Sequence, residues 1–287
     1  MVLLKEIDKE NDPKRTITEK LNEYTEKTGR NGMGYYSNFL VSDYDYNGID
    51  SMDKTGFMNV VEELDKNKGL DLFLHTPGGS MSSTEEIIKY LESTFDGNIR
   101  AIVPQISMSG GTMIACGCKE ILMGNYSNLG PVDPQIFGLS AKRVIKEFNE
   151  AKKDISENPE LEAYYRITLG KYTPNFKFDC EETIKWCENI LETSLKNGMF
   201  KNDAEKIDKI KKALITSDFT KNHSQPLSRD QCQKIGLKIT PIEQDKELEE
   251  LILSIHYAFI SLFNRQKISK LIINQNGTNF YTKSRDI

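Results

Sequence analysis

Residues 104–115 read PQISMSGGTMIA. The apolar run IRAIV at 99–103 leads into this stretch, and the apolar run TMIACGC leads out of it. The first is short and β-branched, the second carries helical spacing, so the junction is a strand, a turn and a helix start. Two readings of its small residues stand side by side. Ser107 and Ser109 can cap the helix while the glycines permit close packing. Alternatively, a serine hydroxyl is held out at the turn as a nucleophile.

The same alternation extends outward. GLDLFLHTPGG at 69–79 is a buried strand ending in a Pro-Gly-Gly turn. SSTEEIIKYLESTF follows as a helix, with Ser82 or Ser83 as N-cap and Glu85 and Glu86 in the first turn. EILMG at 120–124 is a third strand and SNLGPVDPQ a loop. Strands alternating with helices predict right-handed crossovers, a mainly parallel sheet and the α/β class. Upstream, helical spacing covers 17–28, ending at Gly29, and part of 55–67. From about residue 139 the pattern turns helical in four segments, the last being DKELEELILSIHYAFISLFNR. The expected layout is an N-terminal helical segment (1–27), an α/β core (28–140), a helical continuation (141–263) and a tail (264–287), whose last dozen residues form a hairpin or fray.

Composition narrows the function classes. The 287 residues are 38% apolar and 28% charged, which suits a globular chain with a sizeable core. Net charge is −5 with basic residues scattered among acidic ones, so no nucleic-acid footprint is expected. The longest apolar stretch, LILSIHYAFISLF at 251–263, is too short to span a bilayer and contains His256. The opening MVLLKEIDKEND lacks the pattern of a signal peptide. Five cysteines without a CxxC pair, and three histidines, do not suggest a metal cluster; free thiols in a reducing cytoplasm are expected.

In a parallel sheet, ligands gather outside the carboxyl ends of the strands. Two glycine turns fall there, HTPGGS at 75–80 and SMSGG at 107–111. Adjacent glycines let backbone N–H groups approach a substrate, and two such groups aimed at one point make an oxyanion hole. A phosphate-binding turn also fits, although neither a Walker lysine nor GxGxxG is present. His75 fits a structural place before the glycines, and His256 a packing place on its helix.

Three segments carry a family resemblance: GLDLFLHTPGGSMSSTEEIIKYL, IRAIVPQISMSGGTMIACGCKEILMGNYSNLGPVDPQ and HSQPLSRDQCQKIGLKI. Together they resemble the Clp-fold serine proteinases, most closely the serine dehydrogenase proteinase family, relatives of signal peptide peptidase A and the Clp catalytic subunit. The resemblance runs from about Thr28 to about residue 263. It implies a ClpP/crotonase-like ββα spiral core with a helical C-terminal portion. It also implies hydrolysis of peptide bonds in peptides or unfolded protein, without cofactor and without ATP in itself. A homo-oligomer without stable membrane insertion is implied as well.

By position, the resemblance puts Ser109 on the nucleophile, Gly78 and Gly79 on the oxyanion turn, and Gly110 on the second donor. The Clp subunit carries its histidine in the loop that here reads LGPVDPQ, where Val132 and Asp133 stand instead. Its acid precedes a motif like LSRDQCQKIGL, where this chain has His223. The two roles can be exchanged, with His223 as base and Asp133 orienting it, because a triad is defined by geometry rather than chain order. Signal peptide peptidase relatives use a lysine base, for which Lys146, Lys152 and Lys153 are the alternatives. Two rival functions remain: an inactive peptide-binding scaffold of this fold, and a crotonase-like acyl-coenzyme A enzyme.

Overall fold

A computed structural model describes residues 12–40, 47–216 and 226–283. Its strands are, in chain order, β1 (Asn31–Ser37), β2 (Leu70–His75), β3 (Ile99–Val103), β4 (Ile106–Ser107), β5 (Ile121–Met123) and β6 (Asn128–Leu129). There follow β7 (Gln135–Ile136), β8 (Leu139–Ser140), β9 (Leu227–Ser228), β10 (Ile239–Pro241), β11 (Ile268–Asn274) and β12 (Asn279–Lys283). The main sheet runs β10-β5-β3-β2-β1-β11-β12. Its first five strands are parallel, and β11 and β12 close one edge antiparallel. This is the α/β architecture expected from the sequence.

Side-chain alternation along the strands divides the core into two layers. Met33, Tyr35, Leu72, Leu74, Ala101 and Val103 face one side, against helices Ser51–Val61, Met81–Phe95 and Phe176–Asn197. Tyr36, Phe73, Ile102, Leu122, Leu271 and Ile273 face the other, against helices Pro13–Thr28 and Lys246–Arg265. A sheet covered on both faces explains why its strands read as continuous apolar runs.

Three expectations need correction. The helix at 81–95 is capped by Ser80, whose hydroxyl accepts from the Ser83 N–H, rather than by Ser82 or Ser83. The core does not end at residue 140, because β10 completes the sheet beside β5. Residues 264–287 are more than a tail: β11 is buried along its whole length and pairs with β1 over Met33–Ser37. Among the described residues, no helix is long and apolar enough to cross a membrane.

Candidate active site

The two glycine turns meet at the carboxyl ends of β2 and β3. Beyond His75, the Thr76 N–H donates to Ile106 C=O (3.3 Å) and the Met108 N–H to Thr76 C=O (2.9 Å), so the turns run side by side. Gly78 and Gly79 have φ of 91° and 155°, which a side chain rarely adopts. The turn also admits no Cβ: at Gly78 it would stand 2.7 Å from the Ser109 Cβ and 2.8 Å from the Gly110 nitrogen.

Ser109 has φ 47° and ψ −111°, a conformation disfavoured for any residue but glycine. It sits at the N-cap of helix Gly110–Cys116 yet makes no side-chain capping bond. The capping reading of this serine therefore fails. Ser107 is fully buried and Ser80 is committed to its helix cap, whereas Ser109 is half-buried at the mouth of a pocket. Among the described residues, the N–H groups of Gly79 and Gly110 find no protein acceptor. Gly78 N–H, by contrast, donates to Thr76 Oγ1 at 3.2 Å.

The pocket measures about 400 Å³ and is walled by Ser109, Gly78, Gly79, Gly110 and Asp133, with Met81, Met113 and Cys187 among its apolar lining. Asp133 reaches it through a chain of contacts. Thr112 Oγ1 donates to Gly130 C=O (2.9 Å) and Gly130 N–H to Ser107 C=O (3.1 Å), tying the loop after β6 to the serine turn. Ser140 Oγ then donates to the Asp133 carboxylate at 2.8 Å and also caps helix Ala141–Glu157.

His223 lies outside the described residues, in the stretch 217–225. The described residues on both sides of that stretch border the Asp133 loop: Leu214 C=O accepts from the Val132 N–H (3.1 Å), and Leu227 pairs with Leu129. Lys146 and Lys153 point into solvent, paired with Glu150 and Glu157 one turn on, and Lys152 is exposed. None of these three lysines is brought to the pocket wall. Lys142, a residue that sequence reasoning missed, is not on that wall either, but it is half-buried, burial holds its amine below the usual range, and Asp133 and Cys187 of the wall act on it electrostatically. Its position just after the Ser140 cap was the available signal.

His75 and His256 stand on the other face of β2, their rings tilted against Tyr36 and edge-on to each other. Burial keeps both imidazoles neutral, His256 with its pKa lowered to about 4 and His75 well below its ordinary value. Neither reaches the pocket.

Comparison with known families matches residues 41–257 to the ClpP-like SDH-type serine proteinases. Two curated relatives from Methanocaldococcus jannaschii are similar to this chain. Uncharacterized protein MJ0137 is 28% identical over 194 residues, covering 68% of this chain and 61% of its own length. Uncharacterized protein MJ1495 is 26% identical over 194 residues, covering 68% and 60%. The match thus spans about three fifths of each relative. With a family match over most of its length, the chain belongs to the ClpP-like SDH-type serine proteinases.

Proposed function

We propose that this chain is a serine peptidase acting on peptides or unfolded protein, with Ser109 as nucleophile. The observation that carries the reading is the strained, uncapped Ser109 set beside two N–H groups that have no acceptor among the described residues. In this mechanism Ser109 Oγ forms a bond to the scissile carbonyl carbon as its proton passes to the base. The oxygen, now an anion, accepts from Gly79 and Gly110 N–H. Collapse breaks the C–N bond, the base returns the proton to the leaving amine, and water repeats the sequence on the acyl-enzyme.

His223 is the base in this reading and Asp133 orients it. Supporting it are the two borders of 217–225, which both flank the Asp133 loop, and the absence of any described partner for the Ser109 hydroxyl. Leu227 is four residues from His223, a reach of at most roughly 14 Å in extended chain. The amine of Lys142, lowered by burial and within electrostatic reach of Asp133, supports a lysine base as the second reading.

Fluorophosphonate labelling and casein hydrolysis test the function. Both are expected in the wild type and absent in a folded Ser109→Ala; equal turnover in the two would overturn the reading. The pH profile separates the bases. A histidine base gives activity rising through about pH 6.5 and lost in His223→Gln. A lysine base gives a rise at higher pH, retained in His223→Gln and lost in Lys142→Met. Self-association belongs to the same reading, supported by exposed Phe137, Tyr164, Ile167 and Phe178 on the excursion that follows the core. Light scattering should return a mass above that of a monomer.

A further inference from the structure

The glycine turn is held on one side by Thr76 and on the other by residues 48–50. Ile49 N–H donates to Gly78 C=O (2.7 Å), and Ser80 N–H donates to Ile49 C=O (2.8 Å). These two bonds form an isolated bridge outside the sheet, so whatever fixes 48–50 also fixes Gly79. A Cβ at Gly79 would stand 2.2 Å from the Ile49 nitrogen, so the two backbones are in direct contact.

What fixes 48–50 is a buried ammonium. Lys270 is 1% exposed and lies on β11 opposite Ser37, at the carboxyl end of β1. Its Nζ donates to Gly48 C=O (2.9 Å), to Asp50 Oδ2 (2.7 Å) and to Asp53 Oδ2 (2.9 Å). Those three bonds use the full donor set of an ammonium. Asp53 Oδ2 also accepts from Tyr35 OH (2.9 Å) and from Asp50 N–H (2.8 Å), the latter closing a capping box on helix Ser51–Val61. Strands β1 and β11 and a helix start thus converge on the three residues that carry the turn. Charge-assisted bonds at such a point are stiffer than neutral ones.

We propose that Lys270 is a positioning residue, which through Gly48, Asp50 and Asp53 holds the Gly79 N–H in place for the reaction at Ser109. This rests on the peptidase reading and goes beyond it, because Lys270 lies after the family-matched residues 41–257. A donor displaced by about 1 Å costs on the order of 100-fold in rate, so the support is felt in turnover more than in binding.

The test is Lys270→Met in the full chain, with Asp50→Asn as the second variant because Asp50 is partly exposed and asparagine can still cap the helix. Hydrogen exchange is read first. The Ile49 and Ser80 amides should exchange at least about tenfold faster than in the wild type, with Leu72 and Leu74 in β2 unchanged. Equal protection at Ile49 and Ser80 would overturn the proposal, whether or not the protein is active. Kinetics is read second: kcat and the fluorophosphonate labelling rate should fall together by about 10–100-fold, with KM within about threefold. Loss confined to KM, or to thermal stability alone, would also overturn it. A wild type without Ser109-dependent turnover defeats the peptidase reading, and the exchange result still decides whether Lys270 holds the turn.

Discussion

Opposite ends of one sheet bury an ion cluster each, and the two are built alike but placed differently. At the amino end, Asp71 on β2 is enclosed by Arg30 (2.6 Å), by Arg100 from β3 and by Tyr24 OH (2.8 Å). At the carboxyl end, Lys270 on β11 is enclosed by Asp50, Asp53 and a backbone carbonyl. The amino-end cluster ties strand to strand and strand to helix, and its groups are spent on one another. The carboxyl-end cluster ties a strand to a loop that carries a turn, and that turn leaves the Gly79 N–H without an acceptor among the described residues. One buried charge serves the fold; the other serves the site.

If this division holds, substitutions at the two ends separate activity from stability. The largest effect is expected at the carboxyl end. Ser109→Ala should lower turnover by roughly 10⁴–10⁶-fold, as loss of a covalent nucleophile does. Its urea midpoint should stay close to the wild type, since the Ser109 hydroxyl bonds no described residue. A residual rate within tenfold of the wild type would break the comparison at its functional end.

Asp71→Asn should do the reverse. It leaves two partly buried guanidinium groups facing each other, with side-chain exposures of 18% and 24%. Breaking a buried ion pair from one side costs about 3–5 kcal/mol. Urea unfolding should show that loss, while kcat of the folded fraction stays within about twofold. A fall in kcat at constant stability would mean that the amino-end cluster reaches the site.

What could be read in the sequence follows the same division. Strands β2, β3 and β5 were legible because both their faces are buried and their apolar runs are unbroken. Strand β11, ISKLIIN, was hidden by Lys270 and Asn274, whose polar groups are satisfied by residues more than 200 positions away. Strand β1, NGMGYYS, was hidden by its glycines and polar ends. At the site, Ser109 and the glycine turns were visible because local sequence creates them. Lys142 was not, since the partial burial that sets it apart from Lys146 and Lys153 on the same helix depends on tertiary packing. Lys270 could not be found at all without the sheet order.

Acid should test the carboxyl end by another route. His256 is neutral in the fold, with its pKa lowered from 6.5 to about 4 by burial. Between those values the unfolded chain binds the proton and the folded one does not, so stability falls as pH drops from above 6.5 towards 4. The contribution lost at pH 4 is about 3 kcal/mol for this one group. His75 is also depressed, by burial and by its neighbour His256, so its share is lost in the same direction as pH falls below the ordinary imidazole value. Urea unfolding at pH 7 and pH 4.5 should show a clearly smaller acid loss in His256→Phe. An unchanged difference would mean that the imidazole takes up its proton without cost.

The smallest effect has the opposite sign. Ser109 is held at φ 47°, a conformation worth about 1–3 kcal/mol of strain for a residue with a Cβ. Ser109→Gly removes that strain but gives the unfolded chain more freedom, a cost of about 0.4–1 kcal/mol. The difference leaves a gain of about 1 kcal/mol in folding stability, with turnover abolished as in Ser109→Ala. Alanine keeps the Cβ and should show no such gain, so the comparison of the two variants isolates the backbone from the lost hydroxyl. A urea midpoint higher in the glycine variant than in the alanine variant identifies stored strain at the serine. Equal midpoints would mean that the turn adopts this conformation without cost, and that the carboxyl end is no more strained than the amino end.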